Sequence, residues 1–288
     1  MSTLAEPPVE VADGYRAGRT LPFRVELVRQ LKRRRTMVMG GVLFALPIIL
    51  LIAFQVGGDP GGNNNRVNLM DTATASGANF AAVNLFSAAG FLLVIPVALF
   101  CGDTVASEAS WSSLRYLLAA PVPRARLLWS KLAVGLSLSL AAMVLLPIVA
   151  LVVGTAAYGW GPLQLPTGGT LPTGTAAQRL LIVVAYIMVS QLVTAALAFY
   201  LSTRTDAPLG AVGGAVFLTI IGSVLDEVTA LGDWRHFLPA HWQYAWLDAV
   251  RPQLEWSDMI QGTSISVTYA LVLFALAFRG FARKDVVS

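Results

Sequence analysis

The chain is poor in charge. Of its 288 residues, 12% are Asp, Glu, Lys or Arg, while 56% are hydrophobic; an ordinary soluble domain carries about twice that charged share. A soluble reading of this length would give one or two domains, but the shortage of charge directs attention to membrane spans instead. Cysteine is nearly absent as well. A single residue, Cys101, excludes an internal disulfide. It ends an apolar run, where cysteine acts as a small hydrophobe, the alternative being metal or redox chemistry. No cleavable leader is expected: the first 36 residues are polar and basic, with no short apolar core ahead of a small-residue cleavage site. The first apolar run is therefore expected to stay as an anchor. No GxxxxGK[ST] phosphate loop occurs, and the nearest glycine cluster, GGDPGG, lacks the lysine, which excludes ATP binding of the usual P-loop kind.

Charge is missing most completely from six runs, at 37–56, 81–102, 132–158, 180–202, 207–225 and 259–278. Each reaches the roughly 20 apolar residues a helix needs to cross a bilayer, and lipid cannot satisfy an open strand edge. The sequence thus predicts an all-α integral membrane protein with six transmembrane helices in one domain over 37–279. Asp, Glu, Lys, Arg and His are absent inside these runs, which counts against ion-coupled transport, proton pumping and intramembrane proteolysis. The polar side chains that remain are mild. Gln191, with Ser190 and Thr194 beside it, lies near the middle of the fourth run, where it lines a path or joins helices by a hydrogen bond. Pro47, Pro96 and Pro147 predict kinks. The Gly-, Pro- and Thr-rich stretch at 159–177 predicts a loop between spans three and four.

Lys and Arg give the direction. With the N-terminus in the cytoplasm, sixteen fall in inside segments and four (Arg66, Arg179, Arg235, Arg251) in outside ones. The positive-inside rule then places both termini in the cytoplasm, and the basic balance reflects orientation, not nucleic-acid binding.

Five segments flank the spans. Residues 1–20 have the composition of a disordered tail, and 280–288 form a short cytoplasmic tail. At 21–36, Leu21, Val25, Val28 and Leu31 recur at helical spacing among Arg24, Arg29, Lys32 and Arg33. This predicts an amphipathic helix on the inner membrane surface, or a basic cluster that sets topology. In 102–131, Asp103 or Thr104 can cap a helix start, Pro121 and Pro123 end that helix, and Arg124, Arg126 and Lys131 enter the next span. This is a rigid cytoplasmic knob or an ordinary solvated loop. The segment 226–258 collects Trp234, Phe237, Trp242, Tyr244, Trp246 and Trp256, predicting short helices at headgroup level. His236 and His241, five apart, do not share a helix face and have no third ligand in sequence, so interfacial histidines are favoured over a metal site.

The 102–131 segment resembles the cytoplasmic loop between spans two and three of type 2 ATP-binding cassette (ABC) exporter permeases. That family shows an acidic residue ending the second span, another about five later, a small helix, a Pro–Val–x–Arg turn and a basic residue entering the next span. Here these are Asp103, Glu108, the stretch 113–118, Pro121-Val122-Pro123-Arg124 and Lys131. Six spans, two inside termini, a basic amphipathic helix before span one and an aromatic segment between spans five and six agree with it, so the resemblance covers roughly residues 20–285. It implies a coupling helix at 102–119 docking on a separate ATPase subunit through Asp103, Glu108, Arg115, Pro121, Arg124 and Lys131. It also implies a connecting helix carrying Arg24, Glu26, Arg29 and Lys32, a substrate path touching Ser190, Gln191 and Thr194, and an outer gate of Trp234, Phe237, Trp242 and Trp246. ATP and Mg would sit on the ATPase subunit, with no cofactor, metal or catalytic residue on this chain. A second permease chain would complete the path in a bacterial plasma membrane. The loop at 159–177 is longer than the family pattern. The competing expectations are a membrane-embedded enzyme at the outer interface, using Asp226, Glu227, Asp233, His236 and His241, and a non-transporting assembly factor.

Overall fold

The computed structural model describes residues 23–57, 69–110 and 123–283. The tail at 1–20, Leu21, most of the GGDPGG cluster, the small helix at 113–118 with Arg115, Pro121 and the last five residues lie outside them. Nine α-helices follow among the described residues: α1 Phe23–Leu31, α2 Arg34–Val56, α3 Gly77–Ala89, α4 Val94–Ser110, α5 Arg124–Tyr158, α6 Thr173–Ser190, α7 Leu192–Arg204, α8 Pro208–Asp226 and α9 Ser257–Ala282. Five units (α2, α5, α6 with α7, α8 and α9) are long and apolar enough to cross a membrane, and the bent pair α3–α4 makes a sixth if it counts as one span.

The second span departs from the continuous helix expected at 81–102. It is two helices meeting at 53°. Pro96, in the first turn of α4, has no N–H to give and its ring crowds the carbonyl four residues back, so an unbroken helix through Gly90–Leu93 is disfavoured. Gly90 lets the bend approach its neighbours: a Cβ there would collide with the Tyr244 hydroxyl and meet Gln243 Nε2 at 3.1 Å. Beyond the bend, α4 runs unbroken through Asp103 and Thr104 to Ser110. Neither residue starts a helix, contrary to the sequence expectation.

The third span also begins earlier than expected. α5 starts directly after Pro123 and has 35 residues, about 52 Å at the α-helical rise, against a hydrocarbon core of about 30 Å. Arg124, Arg126 and Lys131 are its first turns, not a separate basic turn. The fourth span has a local irregularity at Gln191, between α6 and α7; its backbone stays in the helical region (φ −72°, ψ −8°), and Gln191 N still donates to Ile187 O and Ala195 N to Gln191 O, each at 3.0 Å. Nothing in the local sequence punctuates it there.

Burial divides the helices sharply. Eleven of the 13 residues of α3 and 13 of the 17 of α4 are buried; α4 is the hub, packing on α5, α7 and α8. By contrast, α2 buries only Leu43 and Pro47, and α8 only Ala211 and Ala215. Apolar helices at the rim with apolar faces turned outward are what a lipid solvent selects.

The 159–177 segment contains a two-residue-per-strand hairpin, Leu163–Gln164 paired antiparallel with Thr170–Leu171. It is fastened to the N-terminus of α3. Asn79 Nδ2 donates to Gln164 O at 2.8 Å, and Gln164 N donates back to Asn79 Oδ1 at 2.9 Å, so one side chain plays the part of a neighbouring strand. At the same end, three 3-10 helices, Thr229–Phe237, Pro239–Trp242 and Ala245–Val250, join α8 to α9. This is the aromatic end of the bundle; the opposite end, where α1 lies, is the basic end.

Candidate functional site

The bend of the second span meets the middle of the fourth. Gln191, between α6 and α7, donates from Nε2 to Ala89 O, the last residue of α3, at 3.3 Å. A carbonyl can only accept, so this contact fixes which end of the amide faces α3. Gln191 is 5% exposed, and its Oε1 is buried without a partner. Cavities flank the residue. One of about 330 Å³ lies between α7, α8, α9 and the Pro239 segment and includes Ser190, Gln191 and Thr194 in its wall. Another of about 300 Å³ lies toward α5, with Gln191 again at its edge. Among the described residues neither is lined by an Asp, Glu, Lys, Arg or His. The first is at the lower end of the 300–1,000 Å³ typical of small-molecule sites.

All three residues assigned to a substrate path from the sequence thus line one cavity. Sequence reasoning missed its other wall: Thr219 and Gly222 of α8, Gln243 of the aromatic end and Tyr269 of α9. Thr219 was visible only as one mild polar residue among several; Gly222, Gln243 and Tyr269 carried no signal.

The basic end holds a different arrangement. Glu108 of α4 is 3% exposed and Lys131 of α5 is 4% exposed. Lys131 Nζ lies 2.5 Å from Glu108 Oε1 and 2.8 Å from Glu26 Oε1 of α1. Arg29 bonds Glu26 at 2.9 Å and also reaches Glu108. Next to them Arg33 Nη1 meets Asp103 Oδ2 at 2.7 Å, with Arg35 on the same carboxylate. Burial pushes the Glu26 carboxyl up, but Lys131, Arg29 and Gln30 outweigh it and hold the group below its ordinary value. α1 is thereby inverted relative to a helix on a soluble protein. Glu26 and Gln30 point inward, while Val25, Val28 and Leu31 are exposed, as an interfacial helix requires. Of the residues assigned to ATPase docking, Asp103, Glu108 and Lys131 are buried against partners in this chain, and Arg124 donates to Ala282 O at 3.2 Å. Of the connecting-helix set, Glu26 and Arg29 belong to the lattice, and Arg24 and Lys32 are exposed.

The aromatic end separates the residues assigned to a gate. Trp242 and Trp246 are buried, Trp246 fully, while Trp234 and Phe237 are exposed. Tyr186 Oη donates to Trp242 O at 2.6 Å, and Trp242 Nε1 to His236 O at 2.9 Å. The two histidines, which a single helix would have kept apart, come together: the chain is extended at Leu238, between the 3-10 helix that holds His236 and the one that holds His241, and the rings lie 4.7 Å apart. His241 Nδ1 is 2.6 Å from Asp226 Oδ1. Among the described residues no group of three or more His, Cys, Asp or Glu is placed to hold a metal.

The fold and these sites define an all-helical protein with the span-length apolar helices of a multi-pass membrane protein. The chain belongs to the family described as protein of unknown function DUF2705, whose model matches residues 48–287. No curated protein matches it significantly.

Proposed function

We propose that the chain is the permease subunit of an ABC exporter. It moves a hydrophobic or amphipathic substrate (a drug, peptide or lipid-like molecule) out of the cytoplasm or inner leaflet by alternating access, and a separate ATPase holding ATP and Mg drives it. A second permease chain pairs with it in a bacterial plasma membrane, both termini facing the cytoplasm. The observation that carries the reading is the cavity at Gln191. A broken helix at membrane depth is tolerated where it is buried in protein or lines a cavity, and secondary transporters build substrate sites at discontinuous helices. Here the bent second span meets the fourth span at Gln191, beside an uncharged, largely apolar space. The lattice at the basic end adds support, since it makes α1, α4 and α5 one body on which a motor subunit can push.

The test co-expresses this chain with candidate ABC-type ATPase subunits from the same genome. The pair is expected to co-purify, with ATP turnover raised in the complex. Arg115→Ala is expected to weaken capture while leaving the thermal midpoint unchanged. Glu108→Ala is a poor probe of docking because it unbalances internal pairs. An ATPase that neither binds nor changes its turnover sinks the reading. The His241–Asp226 pair favours a second one, an enzyme at the outer interface in which Asp226 orients His241 as a base, with His236, Glu227 and Asp233 nearby in sequence. That reading requires activity without ATP that disappears in a His236→Ala/His241→Ala variant.

A further inference from the structure

The cavity beside Gln191 is unequal in its hydrogen-bonding groups. Gln191 has its amide N–H on Ala89 O, leaving an acceptor, Oε1, buried and unpartnered. The Ser190 hydroxyl gives its hydrogen to Ile187 O at 2.9 Å, and the Thr219 hydroxyl to Ala215 O at 2.9 Å. Each then offers the cavity lone pairs only. The buried Thr194 hydroxyl rotates to either role. Tyr269 is exposed whereas Gln191 and Thr194 are buried, so the enclosed part of the wall holds the unpartnered acceptor. The rest of the wall is apolar: Val94, Leu197, Leu218 and Leu273 are part of it. A buried acceptor without a donor is costly. A charged head would be costlier still, since no counter-charge lines the space.

We infer that this cavity binds a neutral amphiphile whose head carries an O–H or N–H donor, the donor satisfying Gln191 Oε1 and the tail filling the apolar wall. A hydroxyl or amide head fits, because it can give to Gln191 and accept from Thr194. Acceptor-only heads such as esters leave Gln191 unsatisfied, and carboxylates or quaternary ammonium ions are left without a partner. As the substrate class of the exporter, this inference rests on the permease reading; as a binding property of the isolated chain, it does not.

The experiment uses the full chain in phosphatidylcholine nanodiscs, without any ATPase. It is photolabelled by a diazirine-bearing alkyl alcohol, and label incorporation is read by mass spectrometry. The competitors are 1-decanol, methyl decanoate and decyltrimethylammonium. We expect 1-decanol to compete about tenfold better than the ester, the worth of one hydrogen bond of this kind, and the cation to compete least. Gln191→Leu should remove the preference for alcohol over ester. Comparing variants in the same lipid cancels partitioning. Should Gln191→Leu fail to fold, Gly222→Leu serves. A Cβ at Gly222 meets only Ala240 Cβ at 3.8 Å, so the residue is accommodated while its side chain occupies the cavity, and labelling at Thr194 and Thr219 should fall at least about fivefold. Equal competition by alcohol and ester in the wild type, a preference that survives Gln191→Leu, or labelling unchanged by Gly222→Leu overturns the inference. Failure to pair with an ATPase would overturn the permease reading and leave these outcomes untouched.

Discussion

The two ends of the bundle are closed by opposite chemistry. At the basic end, Glu26, Arg29, Asp103, Glu108 and Lys131 interlock from three helices, α1, α4 and α5, with Arg33 on the approach to α2. At the aromatic end, the fully buried Trp246 packs on Phe86 with ring centroids 6.2 Å apart, and neutral bonds such as Tyr186 to Trp242 O hold the 3-10 segment. The charged end is stable only while every member is present, since each buried charge is costly without its partner. The aromatic end loses strength in small steps, because each ring or neutral bond contributes separately. One end is therefore built to be all-or-none and the other to be adjustable.

The largest expected effect breaks the charged end. Lys131→Met leaves Glu26 and Glu108 without their buried cation, sharing only the half-exposed Arg29. The expected cost is about 3–5 kcal/mol, read as a lowered thermal midpoint in detergent, with partial recovery when Glu108→Gln is added. A recovery of nothing would mean that the two ends do not differ as described. Acid should act on the same end more gently. The folded-state value of Glu26 lies below its unfolded one, so its contribution is complete above the ordinary carboxylate range, about pH 4.3. That contribution is lost as pH falls through the lower folded value. A nitroxide at Val28→Cys should report α1 loosening in that acidic window and stay unchanged from pH 6 to 8. At the aromatic end Tyr186→Phe removes one neutral bond, with an expected cost of about 1 kcal/mol. A loss as large as that of Lys131→Met would erase the contrast.

The apolar runs were legible because hydropathy is a local property: 37–56, 207–225 and 259–278 fall within α2, α8 and α9 to within a few residues of their ends, Ala207 alone lying just outside. Pro96 announced a kink, though not that it would divide the span. The continuation of α4 past Gly102 was illegible for a physical reason. Asp103, Thr104, Ser107 and Glu108 look like a solvated loop until Arg33, Arg35 and Lys131 are brought beside them, the two arginines from about seventy residues away. Sequence spacing singled out Asp103, Glu108 and Lys131 but could not tell an internal lattice from a docking surface. Ser190, Gln191 and Thr194 were found as mild polar residues in an apolar run, while the meeting of Gln191 with Ala89 is a long-range event that no local pattern encodes. The sequence favoured interfacial histidines over a metal site at His236 and His241; their approach to 4.7 Å depends on the extended Leu238 between two 3-10 helices, a detail that their spacing of five does not encode.

The bend between α3 and α4 has a mechanical consequence. α4 is a rod of 17 residues, about 25 Å long, gripped by ion pairs near one tip, with the bend at Gly90–Leu93 as its pivot near the other. On such an arm, each ångström of sideways travel at the gripped tip becomes about two degrees of rotation at the pivot. The pivot adjoins Ala89, the residue that Gln191 holds. A small push on the charged end would thus arrive at the cavity as a change of angle, with Gln191 as the first side chain to register it.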